Sequence, residues 1–222
     1  MHMHEVLISL INLPFSKPKP EAKDEKPEAI PSLETEEEAD LKEKLGVYRL
    51  ILMRYRDIIE EKEGKSITEM KSLVKPFDRA VLDERDKIVD SFHPYIYDEN
   101  FREAAEQAIT MISGIKTVKL PLIFWFSFDE MLHLGAADEM GKAVFLCSLV
   151  RALENDDARV LITDAKKPFV LFSFKGAHII IDPDSGEKSV AQSREEALKK
   201  LGTNKVLYSF NDRDYEDYVE EK

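Results

Sequence analysis

At 222 residues, 43% of them hydrophobic and 34% charged, the chain is long enough for one well-filled core with appendages. Its formal net charge of −12 leaves no overall basic footprint of the kind that nucleic acid or an anionic membrane surface requires. A single cysteine, Cys147, excludes an intrachain disulfide and suits a reducing compartment, and no apolar run approaches the ~18 residues of a membrane span.

The N-terminus, Met1-His2-Met3-His4-Glu5, lacks the basic n-region of a signal peptide, so the expected setting is soluble and cytoplasmic. Residues 6–15, VLISLINLPF, form a short apolar island. It is followed by a stretch dense in charge, with prolines at 18, 20, 27 and 31, which reads as a linker or disordered tail. Two readings of the island stand. It docks back on its own domain, or it is a short linear motif that inserts Leu10, Ile11, Leu13 and Phe15 into a partner groove.

From Thr35 the sequence turns helical, with Thr35 and Glu38 at capping-box spacing. Leu41, Leu45, Tyr48, Ile51, Leu52, Tyr55, Ile58 and Ile59 recur at helical period, which predicts one long helix over 36–63, ended by Gly64. Its apolar stripe is expected to pack on its own neighbours, with a dimeric coiled coil as the alternative. Gly64-Lys65-Ser66 looks like the end of a phosphate-binding loop, but Ile59 stands where that loop needs a glycine, and a helix rather than a strand precedes it.

Three shorter helices follow. One runs over 67–74 to Lys75-Pro76. The second, over 79–92, has Ala80, Val81, Ile88, Val89 and Phe92 as its apolar positions. The third, over 98–112, is capped by Asp98 and buries Phe101, Ala104, Ala105, Ala108, Ile109 and Ile112. Gly114 breaks the pattern, and residues 118–126 are extended and apolar. Ser127 or Asp129 can cap a turn over 130–134. Next comes an apolar helix on which Ala143, Leu146, Cys147, Val150 and Leu153 share one face. Strands follow over 158–163, 168–175 and 177–182. A Pro-Asp-Gly turn, a helix over 193–201 capped by Ser193, and a strand over 205–210 complete the pattern. The acidic residues from Asn211 onward read as a frayed tail.

The fold class is therefore α+β, with a helical section packed on a core made of a central helix against an antiparallel sheet. The segments are 1–35 tail and linker, 36–113 helical section, 114–210 core and 211–222 acidic tail.

The core also resembles a known family. Ala137-Asp138-Glu139-Met140-Gly141-Lys142-Ala143, then Leu149-Val150-Arg151-Ala152-Leu153, then Ala158-Arg159-Val160, and finally Asp182-Pro183 occur in the order found in the transglutaminase-like superfamily. Papain-like members of that superfamily use a Cys-His-Asp triad. The resemblance covers about a third to a half of the chain and implies a degenerate member. Glu139 stands at the nucleophile position, Phe169 at the histidine position, and Asp182 keeps the aspartate. Without a thiolate and a base, the family's acyl transfer has no agents.

What the resemblance implies is a catalytically inactive module for protein interaction or scaffolding, with no cofactor and no resident metal. Its partner would be an unidentified protein, reached through the N-terminal apolar motif or the old cleft. The alternatives are an enzyme with a repurposed carboxylate pair, Glu139 and Asp182, or an accessory protein of DNA repair or replication, since inactive members of the family include DNA-damage recognition proteins. Cys147, on the apolar face of its helix, reads as core and not as a replacement nucleophile. His133, Glu139 and Asp182 would make a metal cluster only if the fold brought them together, and His2 and His4 near the N-terminus could bind metal only adventitiously. His178 and Asp182 lie ~13 Å apart along one strand, too far for a single ion.

Overall fold

The computed structural model describes residues 36–218, so the motif at Leu10, Ile11, Leu13 and Phe15, the linker that follows it and the Thr35 cap lie outside the described residues. The chain divides into two units between Tyr48 and Arg49, inside the first helix. Of the first unit the described part is residues 36–48, all helical. The rest of the description concerns the second.

The stretch read as one helix is two, α1 (Glu36–Arg54) and α2 (Arg56–Glu63). At the break, Tyr55 leaves helical geometry (φ −102°, ψ 10°). Hydrogen bonds still run on either side of it, from Tyr55 N–H to the Ile51 carbonyl at 3.2 Å and from Ile59 N–H to the Tyr55 carbonyl at 3.0 Å. The larger correction concerns burial. Leu41, Leu45, Tyr48, Ile51, Leu52, Tyr55 and Ile58 are exposed, and only Ile59 of the expected stripe is half-buried. Periodicity identifies an apolar face but does not say what covers it.

Helix α3 (Ile67–Lys71) is shorter than expected. A capping box opens it, in which Ser66 N–H donates to Glu69 Oε2 at 2.8 Å and Glu69 N–H to Ser66 Oγ at 3.3 Å. Helix α4 (Arg79–Val89) is capped by Asp78, which accepts from Ala80 N–H at 3.0 Å. It ends three residues before Phe92. Helix α5 (Tyr97–Gly114) begins one residue before Asp98, so Asp98 lies within its first turn and no side chain caps the helix at Ile96, whose N–H donates to Asn100 Oδ1 at 2.8 Å. All six residues predicted for the inner face of α5 are buried.

Beyond α5, residues 118–126, read as extended, form no strand, and Lys116–Thr117 (β1) pairs in parallel with Ala136–Ala137 (β2). Between them α6 (Phe128–Leu134) starts in a Ser127–Glu130 capping box. It ends at Gly135, whose φ of +60° lets the chain reverse into β2 at no steric cost. Trp125 donates its indole N–H to the Glu63 carbonyl at 3.0 Å, fixing residues 118–126 against the end of α2.

Helix α7 (Glu139–Ala152) is the centre of the fold. Every residue from Gly141 to Arg151 is buried, as befits a helix enclosed on all sides. It packs on α4 and α5 and on the strands that follow, β3 (Arg159–Thr163) and β4 (Pro168–Phe174). With β5 (Ala177–Ile181), β6 (Lys188–Ala191), β7 (Val206–Phe210) and β8 (Tyr215–Asp217), these form an antiparallel sheet of order β6-β5-β4-β3-β7-β8. The fold is α+β. Helix α7 packs on one face of the sheet, α5 reaches the same face through Phe101 against Phe172, and α4 packs on α5 and α7; α8 (Arg194–Lys199), capped by Ser193, packs on β5 and β6.

The pleat sorts the strand residues into two cores. Val160, Ile162, Val170, Phe172, Ile181 and Phe210 join the helical side. Leu161, Phe169, Leu171, Ile180 and Ala191 join Ala197 of α8.

The expected frayed tail is a correction too. Residues 215–217 pair with β7, and Asn211 is buried. The acidic charge is neutralised by arginines of β3, α7 and α8. Glu216 accepts from Arg159 at 2.8 Å and from Arg194 at 2.5 Å, and Asp212 accepts from Arg151 Nη2 at 3.0 Å. Among the described residues no helix is long and apolar enough to cross a membrane.

Candidate functional site

The positions that matter converge where α7 begins, beside the start of β4 and the end of β5. Asp138 caps α7, accepting from Gly141 N–H at 2.8 Å. Burial pushes the Asp138 carboxyl above its usual range, and the hydrogen bond from Gly141 opposes that shift. Glu139 is the first residue of the helix, half-buried, where the helix dipole favours a negative charge.

Asp182 follows β5 immediately. Its Oδ1 accepts from Asp184 N–H at 2.9 Å, its backbone N–H donates to the Glu187 carbonyl at 3.0 Å, and its carbonyl accepts from Gly186 N–H at 2.8 Å. These bonds close the turn rich in Pro, Asp and Gly read from the sequence. Gly186 sits there at φ +73°.

Lys167 reaches across and donates to Asp182 Oδ2 at 2.6 Å. That hydrogen bond raises the Lys167 ammonium above its ordinary value against the opposing effect of burial, and the charges of Asp182, Glu139 and Asp184 act in the same direction. Asp182 thus has a direct cation partner in Lys167, while Glu139 acts on the same ammonium only through its charge. The pair neutralises the Asp182 carboxylate; it does not force two carboxylates to share a proton as an acid/base dyad must. A raised ammonium is also the opposite of what a catalytic lysine needs.

Phe169 is placed differently from Glu139. One step beyond the Val170–Ile181 pair it comes opposite Asp182, but its side chain belongs to the core on the α8 side of the sheet. There it lies beneath Lys167 Nζ, 5.3 Å from the ring centre, in a groove of about 220 Å³ shared with Ile180, Asp182 and Glu187. The strand residue facing α7 at this level is Pro168, which pairs with Ile162 of the helical core. The structure therefore brings Phe169 and Asp182 together and leaves Glu139 on the other side of the sheet from the phenyl ring.

A second cation organises the same region. Lys142, one turn into α7, is fully buried. Its three N–H donors have three close acceptors, the Ile115 carbonyl at 2.9 Å, Thr117 Oγ1 at 3.1 Å and Asp184 Oδ1 at 3.1 Å. Thr117 also hydrogen bonds Asp184 directly. The Asp184 carboxyl is held below its usual range, first by Thr117 and then by Lys142. Sequence reasoning missed Lys142, Lys167 and Asp184. Each reads locally as a solvated charge, and only long-range pairing gives it a role.

Cys147 is fully buried two turns farther along α7, and burial pushes its thiol far above the usual range, so it stays protonated at neutral pH. Among the described residues no three His, Cys, Asp or Glu side chains group to hold a metal ion, so His133, Glu139 and Asp182 do not form such a cluster. No family model matches the chain, and no curated protein or solved structure matches it either.

Proposed function

We propose that this chain is a non-catalytic protein-interaction or scaffold module of the cytoplasm, related to the transglutaminase-like superfamily and without direct contact to nucleic acid. One observation carries the reading. Within the second unit Leu50, Ile51, Leu52, Met53, Tyr55 and Ile58 stand exposed in a stretch of nine residues, a concentration that marks a surface awaiting a protein. The neutralised charges at the start of α7 support the non-catalytic half of the reading. The second reading is an enzyme built on Glu139 and Asp182, favoured by their convergence on Lys167.

The test is a pull-down from native lysate with three versions of the chain: full length, lacking residues 1–20, and full length with Leu45→Glu and Leu52→Glu. The module reading expects a defined protein that the full chain retains and the Leu45/Leu52 variant loses. Loss on removing residues 1–20 would assign the contact to Leu10, Ile11, Leu13 and Phe15 instead. Amide or peptide hydrolysis by the purified chain that Glu139→Ala abolishes would replace the module reading with the enzyme.

A further inference from the structure

The helical face of the sheet is left open toward its β6 edge. Between α5 and strands β4, β5 and β6 lies a cavity of about 460 Å³, a size that takes a small molecule. It involves neither α1 nor α2, so it stands apart from the module reading. Its floor is aromatic. The Phe101 ring meets Phe172 nearly at right angles, with centres 5.7 Å apart, and meets Phe174 at 4.9 Å. Ile109 and Ile179 extend the apolar lining. A flat apolar body can add to such a cluster face-on or edge-on.

The walls carry charge, and the charge is unevenly matched. Lys188 of β6 donates to Glu106 of α5, so these two answer each other across the cavity. Arg102 and Lys175 also line it, and among the described residues neither has a carboxylate within ion-pair distance. The remaining acid of the wall, Glu99, is exposed. Two uncommitted cations beside an aromatic floor stand out in a chain whose net charge is −12. A guanidinium offers paired donors that match a carboxylate, and an ammonium adds a point charge beside it.

The backbone at Lys175 points the same way independently. Phe174 pairs with Ala177, so Lys175-Gly176 is a two-residue hairpin loop. Both residues have positive φ, +49° and +78°. That turn favours Asn, Asp or Gly at its first position, and a lysine is held there at a steric cost. In this position its ammonium lies 5.3 Å from the centre of the Phe174 ring, at the wall of the cavity.

We propose that this cavity binds a small aromatic carboxylate, with its ring on Phe101, Phe172 and Phe174 and its carboxylate held by Arg102 and Lys175. The probes are 2-naphthoate and biphenyl-4-carboxylate, each paired with its uncharged amide and titrated into the full chain by isothermal calorimetry. At least one carboxylate should bind about tenfold or more tighter than its amide, with the advantage shrinking as salt is raised. Arg102→Gln and Lys175→Asn should each weaken the carboxylate about fivefold or more and leave the amide unchanged. Both residues are exposed, so the fold tolerates the changes. Lys175→Asn has a second readout. Asparagine suits the turn, so the urea midpoint should rise while carboxylate affinity falls. A lysine with a merely structural role would not separate the two.

No binding of either carboxylate up to about 1 mM, or equal binding of carboxylate and amide, overturns the proposal. So does a carboxylate whose affinity neither substitution changes, which would place it elsewhere on the chain. Val190, 51% exposed on β6, borders the opening. A dimer that Val190→Glu dissolves, without carboxylate binding, would overturn the proposal by making a second copy the occupant.

Discussion

Replacing Lys142 by Met tests whether a single buried cation holds the start of α7, the end of α5 and the turn after β5 together. Methionine keeps the apolar stem that packs in the core, so the change removes the ammonium and little else. Three acceptors lose their donor. They do not suffer equally. The Asp184 side chain is 43% exposed and can turn to water, while the carbonyl of Ile115, a buried residue, cannot. Stranding a buried acceptor costs roughly 1–3 kcal/mol, and loss of the pair with part-exposed Asp184 adds about 1 kcal/mol or less. Relief from the desolvated ammonium offsets part of this, so a net loss of about 2 kcal/mol is expected. For a chain of this size that corresponds to a melting temperature lower by roughly 4–8 °C. Urea unfolding and thermal melts followed by circular dichroism give both numbers. A loss below about 1 kcal/mol, or a loss no larger than that of Asp184→Asn, would refute the reasoning, because exposed Asp184 alone should contribute about 1 kcal/mol or less.

Further measurements probe neighbouring features. The Asp184 carboxyl has a lowered folded pKa, so its contribution to stability is complete above the unfolded value of about 3.9 and is lost as pH falls through the folded value; Asp184→Asn should therefore differ most from the parent above pH ~4 and converge with it in stronger acid. Gly141→Ala should destabilise by roughly 1–2 kcal/mol in urea despite alanine's helix preference, because the new methyl would sit 2.8 Å from the capping oxygen of Asp138 and 2.7 Å from Met131 Cε. Cys147 should react with thiol reagents only at the rate of unfolding, and rapid labelling of the native chain would contradict its place in the core. Leu50→Ser with Met53→Ser should leave the urea midpoint within about 0.5 kcal/mol of the parent, since both side chains are exposed, while weakening partner binding.

What could be read from the sequence was whatever local periodicity encodes. All six inner residues of α5 were legible because Phe101 to Ile112 sit at helical steps, and β3, β4 and β5 lie within one residue of the limits their apolar runs predicted. The burial of α1 was not legible, since the same spacing describes a face buried by its own chain and one left for a partner. Nor was the side of the sheet on which Phe169 falls. Pro168 to Phe172 are buried on both faces of β4, so alternation of apolar and polar residues, which would have fixed the face, is missing. Tyr215 to Asp217 looked like a solvated acidic end because the cations that neutralise Glu216 lie 57 and 22 residues away. Lys142 was hidden for the same reason, its carboxylate partner being 42 residues distant.

The contrast between the first two helices and the start of α7 bears on function through what each leaves uncompensated. Around the start of α7 the polar groups answer one another. Lys142 meets Asp184, Lys167 meets Asp182, and Asp138 meets the Gly141 amide. Chemistry on a substrate draws on groups whose charge or proton is held away from its ordinary balance toward reactivity, and here Lys167 is shifted toward remaining an ammonium. Along α1 and α2 the reverse holds, because large apolar side chains face water with basic residues beside them. Apolar area still in contact with water is free energy available to association, at roughly 25 cal/mol per Å² before the costs of ordering. The proposed module reading therefore puts binding on the helix rather than in the cleft, and substitutions at Glu139 and at Leu52 should separate the two. The first should leave partner affinity unchanged, and the second should abolish it.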